Sequence, residues 1–328
     1  MSSLRTVLPR RVLAHEPFTI TTTVEPALLV ASAFFALAAN RPFFAAALRG
    51  HEIGAPATWG YMLAVAALLV SLHFALLALV CNRWTLKVVL APLLVASALA
   101  SHYMTRYGVW FDTTMMRNVL HTHAAEAREL LSPALLSHLA LYAVAPLVLL
   151  WRVRVERTPL ARAALVRAAW VLAALAVSAA SLLAVFQPFA SLMRNQREAR
   201  HLITPANLLV SLARVLASEA RAAAVPRQPI GLDARLVPTP RRKPLMVVLV
   251  VGETARAANW GLNGYARQTT PQLTALPVIN FPHVTSCGTS TEVSLPCMFA
   301  PRGRRDYDEA RIRGSESLLH VLARAGVA

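Results

Sequence analysis

The sequence predicts a bundle of membrane-spanning α-helices followed by the N-terminal part of an α/β domain. The 328 residues are 56% hydrophobic and only 15% charged, whereas a soluble domain carries roughly 25% charged residues. Long apolar runs fill the first part of the chain, and shorter β-branched runs follow residue 243. Low charge combined with runs of this length is typical of membrane spans.

Five apolar runs approach the roughly 20 residues that a helix needs to cross a bilayer. They cover about 24–48, 58–81, 86–104, 133–151 and 164–188. Asn40 and Arg41 interrupt the first run. We therefore expect its outer end to lie at the interface or against protein, since an arginine at the bilayer centre costs about 2.5–3.5 kcal/mol.

These runs divide the chain into three parts. Residues 1–188 are predicted to form the membrane domain, 189–243 amphipathic bridging helices and a Pro/Arg-rich linker, and 244–328 the start of the soluble domain. Although the net charge is +17, the arginines flank apolar runs instead of forming a basic motif, so no nucleic-acid partner is expected.

The distribution of basic residues predicts the orientation. Arginine and lysine are in excess before the first run, between the second and third, and between the fourth and fifth. These loops are therefore cytoplasmic, and the chain after about Pro188 lies outside the cytoplasm. No apolar run with a cleavage site directly follows the N-terminal arginines, so a cleaved signal peptide is not expected.

Three polar residues stand out between the third and fourth spans, in the segment 104–132. Asn118, Thr122 and Glu126 are spaced four apart and share one face if the segment is a single helix. A polar stripe at a membrane surface can bind a lipid head group. From spacing alone, a solvated face of an interfacial helix is the preferred explanation.

The linker begins and ends with recognisable structural signals. Thr204 and Pro205 predict a helix start, and the helix that follows either lies on the membrane surface or connects the domains. Leu245–Val251 is too short to span and predicts a buried parallel strand. Glu253 follows it where α/β proteins bind ligands, although a lone glutamate there is more often a cap. A second strand is expected at about 278–284.

The second predicted strand leads into a hydroxyl-rich segment, residues 286–298, that precedes an apolar stretch, as at a helix N-terminus. Free N–H groups there favour an alkoxide or phosphate, so a threonine can serve as nucleophile if a metal lowers its pKa. N-capping by Thr289 or Ser290 explains the hydroxyls equally well. Cys287 and Cys297, ten apart outside the cytoplasm, predict a disulfide closing a short loop.

Four segments in order resemble one known family: Val251–Arg256, Leu262–Tyr265, Thr269–Pro271 and Ser286–Met298. They are similar to the phosphoethanolamine transferases that modify lipid A, which include the mobile colistin-resistance enzymes. The resemblance covers essentially the whole chain. It implies an alkaline-phosphatase-like, sulfatase-type catalytic domain, here C-terminally truncated, in a multi-pass bacterial inner-membrane protein. The N-terminus is then cytoplasmic, the catalytic domain is periplasmic, and we expect a monomer.

The resemblance also implies a mechanism. Thr291 matches the family's nucleophile, and Glu253 matches its zinc-binding glutamate. Zinc polarises the threonine hydroxyl, which attacks the phosphate of phosphatidylethanolamine and releases diacylglycerol. The phospho-threonine intermediate then passes phosphoethanolamine to a lipid A phosphate. The added amine lowers the negative surface charge, which implies polymyxin resistance.

Further residues match by position. Asn118, Thr122 and Glu126 match polar residues that hold the lipid substrate, and this favours the functional explanation of the stripe. Cys287 and Cys297 match a family disulfide.

The remaining zinc ligands of the family, an aspartate–histidine pair and further histidines, are expected beyond Ala328. Ser317–Ala325 predicts an amphipathic helix capped by Gly326, after which a strand should begin. Because zinc sites use about three or four protein ligands, we expect this chain alone to bind zinc poorly and to turn over little or no substrate.

Three other functions remain open. A sister transferase would act on core oligosaccharide or another glycan. A non-catalytic remnant would keep only a folded membrane bundle. A transporter would need functional polar residues within the spans, and His73 is the main candidate, although such a histidine is more often packed.

Overall fold

The computed structural model describes residues 19–224, 226–237, 246–252 and 255–327. The chain forms two compact units, Met1–Arg214 and Val215–Ala328. The division falls inside the segment 189–243 that the sequence assigns to bridging helices and linker. Two strands, β1 (Ile20–Thr22) and β2 (Val153–Val155), pair in parallel. The α-helices are α1 (Val24–Ala33), α2 (Arg41–Ala47), α3 (Pro56–Val80), α4 (Leu86–Tyr107), α5 (Thr113–His121), α6 (Ala124–Glu129), α7 (Pro133–Leu139), α8 (Ala145–Arg152), α9 (Leu160–Ala184), α10 (Phe186–Asn195), α11 (Ala206–Ala224), α12 (Pro271–Thr274), α13 (Thr291–Met298), α14 (Glu309–Arg313) and α15 (Leu318–Arg324).

Several helices of the first unit are long and apolar enough to cross a membrane. They are α3, α4, α9 and the continuous helix Pro133–Arg152, in which a π-helical turn joins α7 to α8. A fifth candidate is Val24–Ala39 with Arg41–Ala47, a pair bent by 59°. The predicted class, a multi-span helical membrane domain, is therefore confirmed, and the first predicted span forms a bent pair of helices.

Exposed tryptophans mark both ends of this bundle. Trp59 and Trp110 lie at the end where α3 begins and α4 ends, and Trp84 and Trp151 lie at the opposite end. The Lys87 ammonium donates to the Trp151 carbonyl at 3.1 Å, which joins the second pair of loops. Tryptophan is enriched at both membrane–water interfaces, and the position of these four side chains at the two ends of the bundle agrees with that preference.

The core of the first unit forms where α3 packs along α9 and α1. Phe74 of α3 is buried and stacks obliquely on Trp170 of α9, with 5.6 Å between the ring centroids. Near the β1–β2 pair, buried Glu25 of α1 meets Arg167 of α9 at 3.5 Å. A buried carboxylate is tolerated when it is paired in this way.

The break in the first span is closed by a residue that follows the fifth span. Asn40 is fully buried, and its side-chain amide donates to the carbonyls of Phe35 at 2.9 Å and Thr204 at 2.8 Å. The amide oxygen of Asn40 accepts from the Thr204 backbone N–H at 2.7 Å. These bonds satisfy polar groups that a helix break would otherwise expose to the apolar interior.

His73 contributes to the same junction. Its Nε2 lies 3.0 Å from the Thr204 carbonyl, and its Nδ1 lies 2.7 Å from the Leu69 carbonyl of its own helix. His73 is thus a packed, hydrogen-bonded side chain, and the transporter hypothesis loses its main candidate.

The bridging helix α11 packs against protein along its first half. It begins at Ala206, one residue later than predicted, after a cis Thr204–Pro205 peptide. Asn207 and Ser211 are buried, and the Ser211 hydroxyl donates to the Phe111 carbonyl at 3.0 Å. This contact favours the interpretation of α11 as a packed connecting helix.

The second unit consists of short helices and turns in its described residues. The prediction of a strand at Leu245–Val251 is wrong for its described residues, 246–251, and Leu245 lies outside the described residues. The strand predicted at about 278–284 is also wrong, and neither segment pairs with a neighbouring strand. A strand needs hydrogen bonds from an adjacent strand, and here side chains such as Met246 and Ile279 are each 84% exposed. The predicted C-terminal helix is confirmed as α15, with Ser317 as its N-cap and Gly326 at φ +83° beyond its end.

Candidate active site

The proposed nucleophile lies at the beginning of a helix, as the sequence predicts for its hydroxyl-rich segment. Thr291 is the first residue of α13, and its side chain is exposed. Ser290 is the N-cap, but its hydroxyl makes no capping hydrogen bond. Its carbonyl accepts from the backbone N–H groups of Val293 at 3.1 Å and Ser294 at 2.9 Å. The hydroxyl of Ser290 therefore does not perform the capping role, and the helix N-terminus favours an anion beside Thr291.

A disulfide and a close backbone approach hold this helix start in place. Cys287, before α13, is joined to Cys297 in its last turn, and their Cα atoms lie 6.4 Å apart. Gly288 packs against the first turn so closely that a Cβ there would lie 2.6 Å from Cγ1 of Val293. Closing a loop of about ten residues restricts the unfolded chain by ~3 kcal/mol.

Two arginines that follow the segment 286–298 in the chain also hold it in place. Glu292, next to Thr291, forms an ion pair with Arg313 of α14, and Arg313 also contacts Glu309 at 3.0 Å. Burial lowers the pKa of Arg313, but the hydrogen bond to Glu292 and the two carboxylate charges outweigh it, and the pKa is raised overall. Arg304 donates to the Ser286 carbonyl at 2.9 Å. The loop is thereby fixed at both ends, which positions Thr291.

The predicted zinc site is not assembled by the residues that the structure describes. Glu253 lies outside the described residues. Within the described ranges, no three His, Cys, Asp or Glu side chains are grouped so that they can hold a metal ion. A zinc site uses about three or four protein ligands, and Thr291 alone does not meet that requirement.

The polar stripe does not lie on one helix. Asn118 is in α5, Thr122 ends that helix in an extended conformation with φ −67° and ψ 126°, and Glu126 is in α6. The Thr122 hydroxyl donates to the Asn118 carbonyl at 2.6 Å, so it satisfies the end of α5. The prediction of a single helical face is therefore wrong, because α5 ends before Thr122 and Glu126 belongs to the next helix. Glu126 is exposed, and Asn118 and Thr122 are half-buried.

Sequence reasoning missed the residues that support the loop. Gly288 between a cysteine and a run of hydroxyl residues is a local signal for a tight approach, but its contact with Val293 is visible only in three dimensions. Arg304 and Arg313 lie more than ten residues further along the chain, and no local pattern links them to this loop.

Comparison with known proteins finds a family match in each part of the chain. Residues 69–220 match the family "Phosphoethanolamine transferase EptA/EptB", and residues 246–328 match the sulfatase family. The two matches define a class of protein in which a helical membrane domain is followed by a sulfatase domain. Within this class, the membrane part of the chain is similar to the N-terminal domain of the EptA/EptB phosphoethanolamine transferases.

Individual relatives agree with this assignment. The chain is 34% identical to phosphatidylethanolamine transferase Mcr-1 of Escherichia coli over 93% of its own length and 57% of that protein. It is 31% identical to phosphoethanolamine transferase EptA of Salmonella typhimurium, over 92% and 55%. The solved structure of the integral membrane lipooligosaccharide phosphoethanolamine transferase EptA from Neisseria meningitidis is similar with a TM-score of 0.82 and 31% identity, over 93% and 57%. The chain thus spans between half and two thirds of these relatives.

Proposed function

We propose that this protein transfers phosphoethanolamine from phosphatidylethanolamine to a lipid A phosphate through Thr291. The observation that carries the proposal is the exposed Thr291 hydroxyl at the start of α13, in a disulfide-closed loop of the sulfatase-matched residues. A hydroxyl in this position can approach a phosphate that the helix N-terminus also attracts.

The chemistry requires two displacements at phosphorus. In the first, the Thr291 oxygen forms a bond to the donor phosphorus, the bond to the diacylglycerol oxygen breaks, and the threonine proton ends on diacylglycerol. In the second, an oxygen of a lipid A phosphate forms a bond to the same phosphorus, and the bond between that phosphorus and the Thr291 oxygen breaks. The Thr291 oxygen takes up the proton that the attacking phosphate gives up. N–H groups at the start of α13 stabilise charge on the transferred group in both steps.

Zinc is part of the proposal through Glu253 and Thr291, which would be two of its ligands. A bound zinc ion would lower the pKa of the threonine hydroxyl. The described residues do not assemble a complete metal site.

The acceptor is inferred from the relatives. The EptA of Neisseria meningitidis is named for lipooligosaccharide. The Kdo(2)-lipid A phosphoethanolamine 7''-transferase of Salmonella typhimurium matches only 24% of this chain, against 93% for Mcr-1. A lipid A phosphate is the acceptor implied by the resemblance of the chain to the transferases that modify lipid A. Replacing part of its negative charge with an amine would weaken the binding of cationic polymyxins.

The membrane location follows from the substrates. Donor and acceptor are both lipids, and a transferase carried on a membrane bundle meets them at the bilayer surface. We place the chain in the bacterial inner membrane as a monomer, with the N-terminus in the cytoplasm and the second unit in the periplasm, because the basic loops then lie inside. Asn118, Thr122 and Glu126 are proposed to contact the lipid head group from two helices instead of one face.

The test is to look for the covalent intermediate. Because residues 1–328 alone are expected to bind zinc poorly, the chain is fused to the part of Mcr-1 that it does not span. The fusion is incubated with phosphatidylethanolamine and zinc, and its peptides are analysed by mass spectrometry. We expect phosphoethanolamine on Thr291, none in Thr291→Ala, and unchanged labelling in Thr289→Ala, a neighbouring hydroxyl control. Lipid A, but not core oligosaccharide, should remove the label. Labelling at another residue, or none in the wild-type chain, would contradict the proposal.

A further inference from the structure

A cavity of about 590 Å³ opens in the first unit, at the end of the bundle where Trp110 lies. It is formed by α2, the C-terminal end of α4 and the 3₁₀ helix Arg197–Leu202. The first two form the ends of the first and third spans and the 3₁₀ helix follows the fifth, so they meet at the same end of the bundle. Cavities that bind small ligands have volumes of about 300–1,000 Å³, so the size is suitable for a lipid head group.

Two arginines give the cavity a positive charge. Arg41 begins α2 and Arg49 follows its end, and both line the cavity. Within the part of the chain that the structure describes, neither forms a salt bridge. The Arg41 guanidinium donates to the Tyr142 hydroxyl at 3.4 Å, which leaves most of its five N–H donors for a ligand. Guanidinium groups bind phosphate oxygens in a bidentate manner.

The rest of the lining restricts the ligand further. Glu198 supplies one carboxylate, and Gln196 supplies an amide. The remaining wall is largely apolar and includes Ala46, Leu202 and the ring of Trp110. Two cationic groups, one anionic group and an apolar wall are complementary to a head group with a phosphate, an ammonium and an attached acyl chain.

We propose that this cavity binds the head group of a zwitterionic phospholipid, with the phosphate on Arg41 and Arg49 and the ammonium beside Glu198. The site lies where lipid head groups meet the bundle, and basic pockets between spanning helices hold the phosphates of lipid head groups such as that of cardiolipin. The inference rests on the proposed function in one respect: the lipid held here is of the donor's chemical class, and the cavity would supply it from the membrane.

The experiment measures binding without turnover. Native mass spectrometry of the full chain in detergent counts bound phosphatidylethanolamine and phosphatidylglycerol. The double variant Arg41→Gln/Arg49→Gln should weaken both lipids by about tenfold or more, since each loses charge-assisted hydrogen bonds to phosphate. Glu198→Gln should weaken phosphatidylethanolamine alone. The control Arg106→Gln/Arg194→Gln removes the same charge from residues that do not line the cavity and should change neither.

Two further measurements distinguish a lipid head group from free phosphate and test whether the variants are folded. Soluble glycerophosphoethanolamine should displace the bound lipid at concentrations where inorganic phosphate does not. Arg41→Lys/Arg49→Lys should retain more binding than the glutamine pair while unfolding at the same temperature. Equal losses in the control pair, wild-type binding by the glutamine pair, or displacement by inorganic phosphate would each overturn the inference.

The outcome is independent of Thr291 chemistry. Thr291→Ala should bind phosphatidylethanolamine as the wild type does. If Thr291 is not labelled but phosphatidylethanolamine still binds in the cavity, only the proposed function is contradicted. If Thr291 is labelled and the double variant Arg41→Gln/Arg49→Gln still binds phosphatidylethanolamine as the wild type does, only the cavity assignment is contradicted.

Discussion

Alanine at position 288 tests how closely the loop before Thr291 is packed against α13. The added Cβ would lie 2.6 Å from Cγ1 and 3.0 Å from Cβ of Val293. Carbon atoms in contact rest at about 3.5–4.0 Å, so the loop and the first turn must separate by roughly 1 Å. Overpacking of this kind costs ~1–3 kcal/mol. The backbone N–H of Val293 closes the turn onto Ser290 at 3.1 Å, so the strain falls on the turn that carries Thr291.

Hydrogen exchange measures this strain locally. In Gly288→Ala, amides of peptides within 286–298 should exchange about 5- to 150-fold faster, since ~1.4 kcal/mol corresponds to tenfold. Gly303→Ala is the matched control, because a Cβ there meets nothing within 4 Å, and it should leave exchange unchanged. Adding Val293→Ala to Gly288→Ala removes the obstructing methyl groups and should restore part of the protection.

The reasoning is refuted if Gly288→Ala exchanges at the wild-type rate. It is equally refuted if Val293→Ala worsens the Gly288→Ala variant by its full single-mutant effect, because two residues in contact should instead show coupling. Either result would mean that the loop is not held against α13 by this contact.

Three further predictions concern stability. Replacing Cys287 and Cys297 by serine should lower the unfolding free energy of the second unit in urea by about 3 kcal/mol, because the unfolded chain loses a closed loop. Asn40→Ala should lower the thermal midpoint in detergent, since a buried Thr204 N–H without a partner costs about 1–3 kcal/mol. Burial, followed by neighbouring positive charge, lowers the pKa of His201. The unfolded chain then binds more protons, so stability should fall as pH drops through about 6.5, as thermal midpoints between pH 5 and 8 would show.

Each has a control. Reducing the wild-type chain should reproduce the loss seen in the serine pair, and a stable reduced chain would contradict the loop-closure argument. Asn195→Ala, at an exposed site, should leave the midpoint unchanged, and an equal shift would show that the Asn40 effect is not specific. His201→Gln should flatten the pH dependence between pH 5 and 8 if the lowered pKa of that imidazole is its cause.

The membrane bundle was predictable from the sequence because lipid imposes a simple requirement. A spanning helix satisfies its backbone hydrogen bonds within its own segment. An apolar run such as Pro56–Val80 is therefore enough to predict a spanning helix without knowledge of the rest of the chain. The interruption at Asn40 was also visible. Its partner was not, because Thr204 lies 164 residues away and no local pattern connects the two.

The second unit was less predictable from the sequence. The run that ends at Val251 has the composition of a buried strand, but a strand exists only when a neighbour supplies its hydrogen bonds. The start of α13 at Thr291 was predictable, since a helix N-terminus has a local signature. The polar stripe was misjudged because four-residue spacing indicates one face only while the helix continues, and it ends at Thr122. The roles of Glu253 and zinc stay predictions.

The bond between Asn40 and Thr204 also sets an order for biogenesis. Ribosomes add about 5–20 residues per second, so about 8–33 seconds separate synthesis of these two residues, which lie 164 positions apart. During that interval the first span is already made, yet the buried amide at its break has only Phe35 and lacks its second native partner, Thr204. An insertion factor or water must satisfy the break until the fifth span has entered the bilayer. The last segment of the unit to leave the ribosome therefore completes the first one.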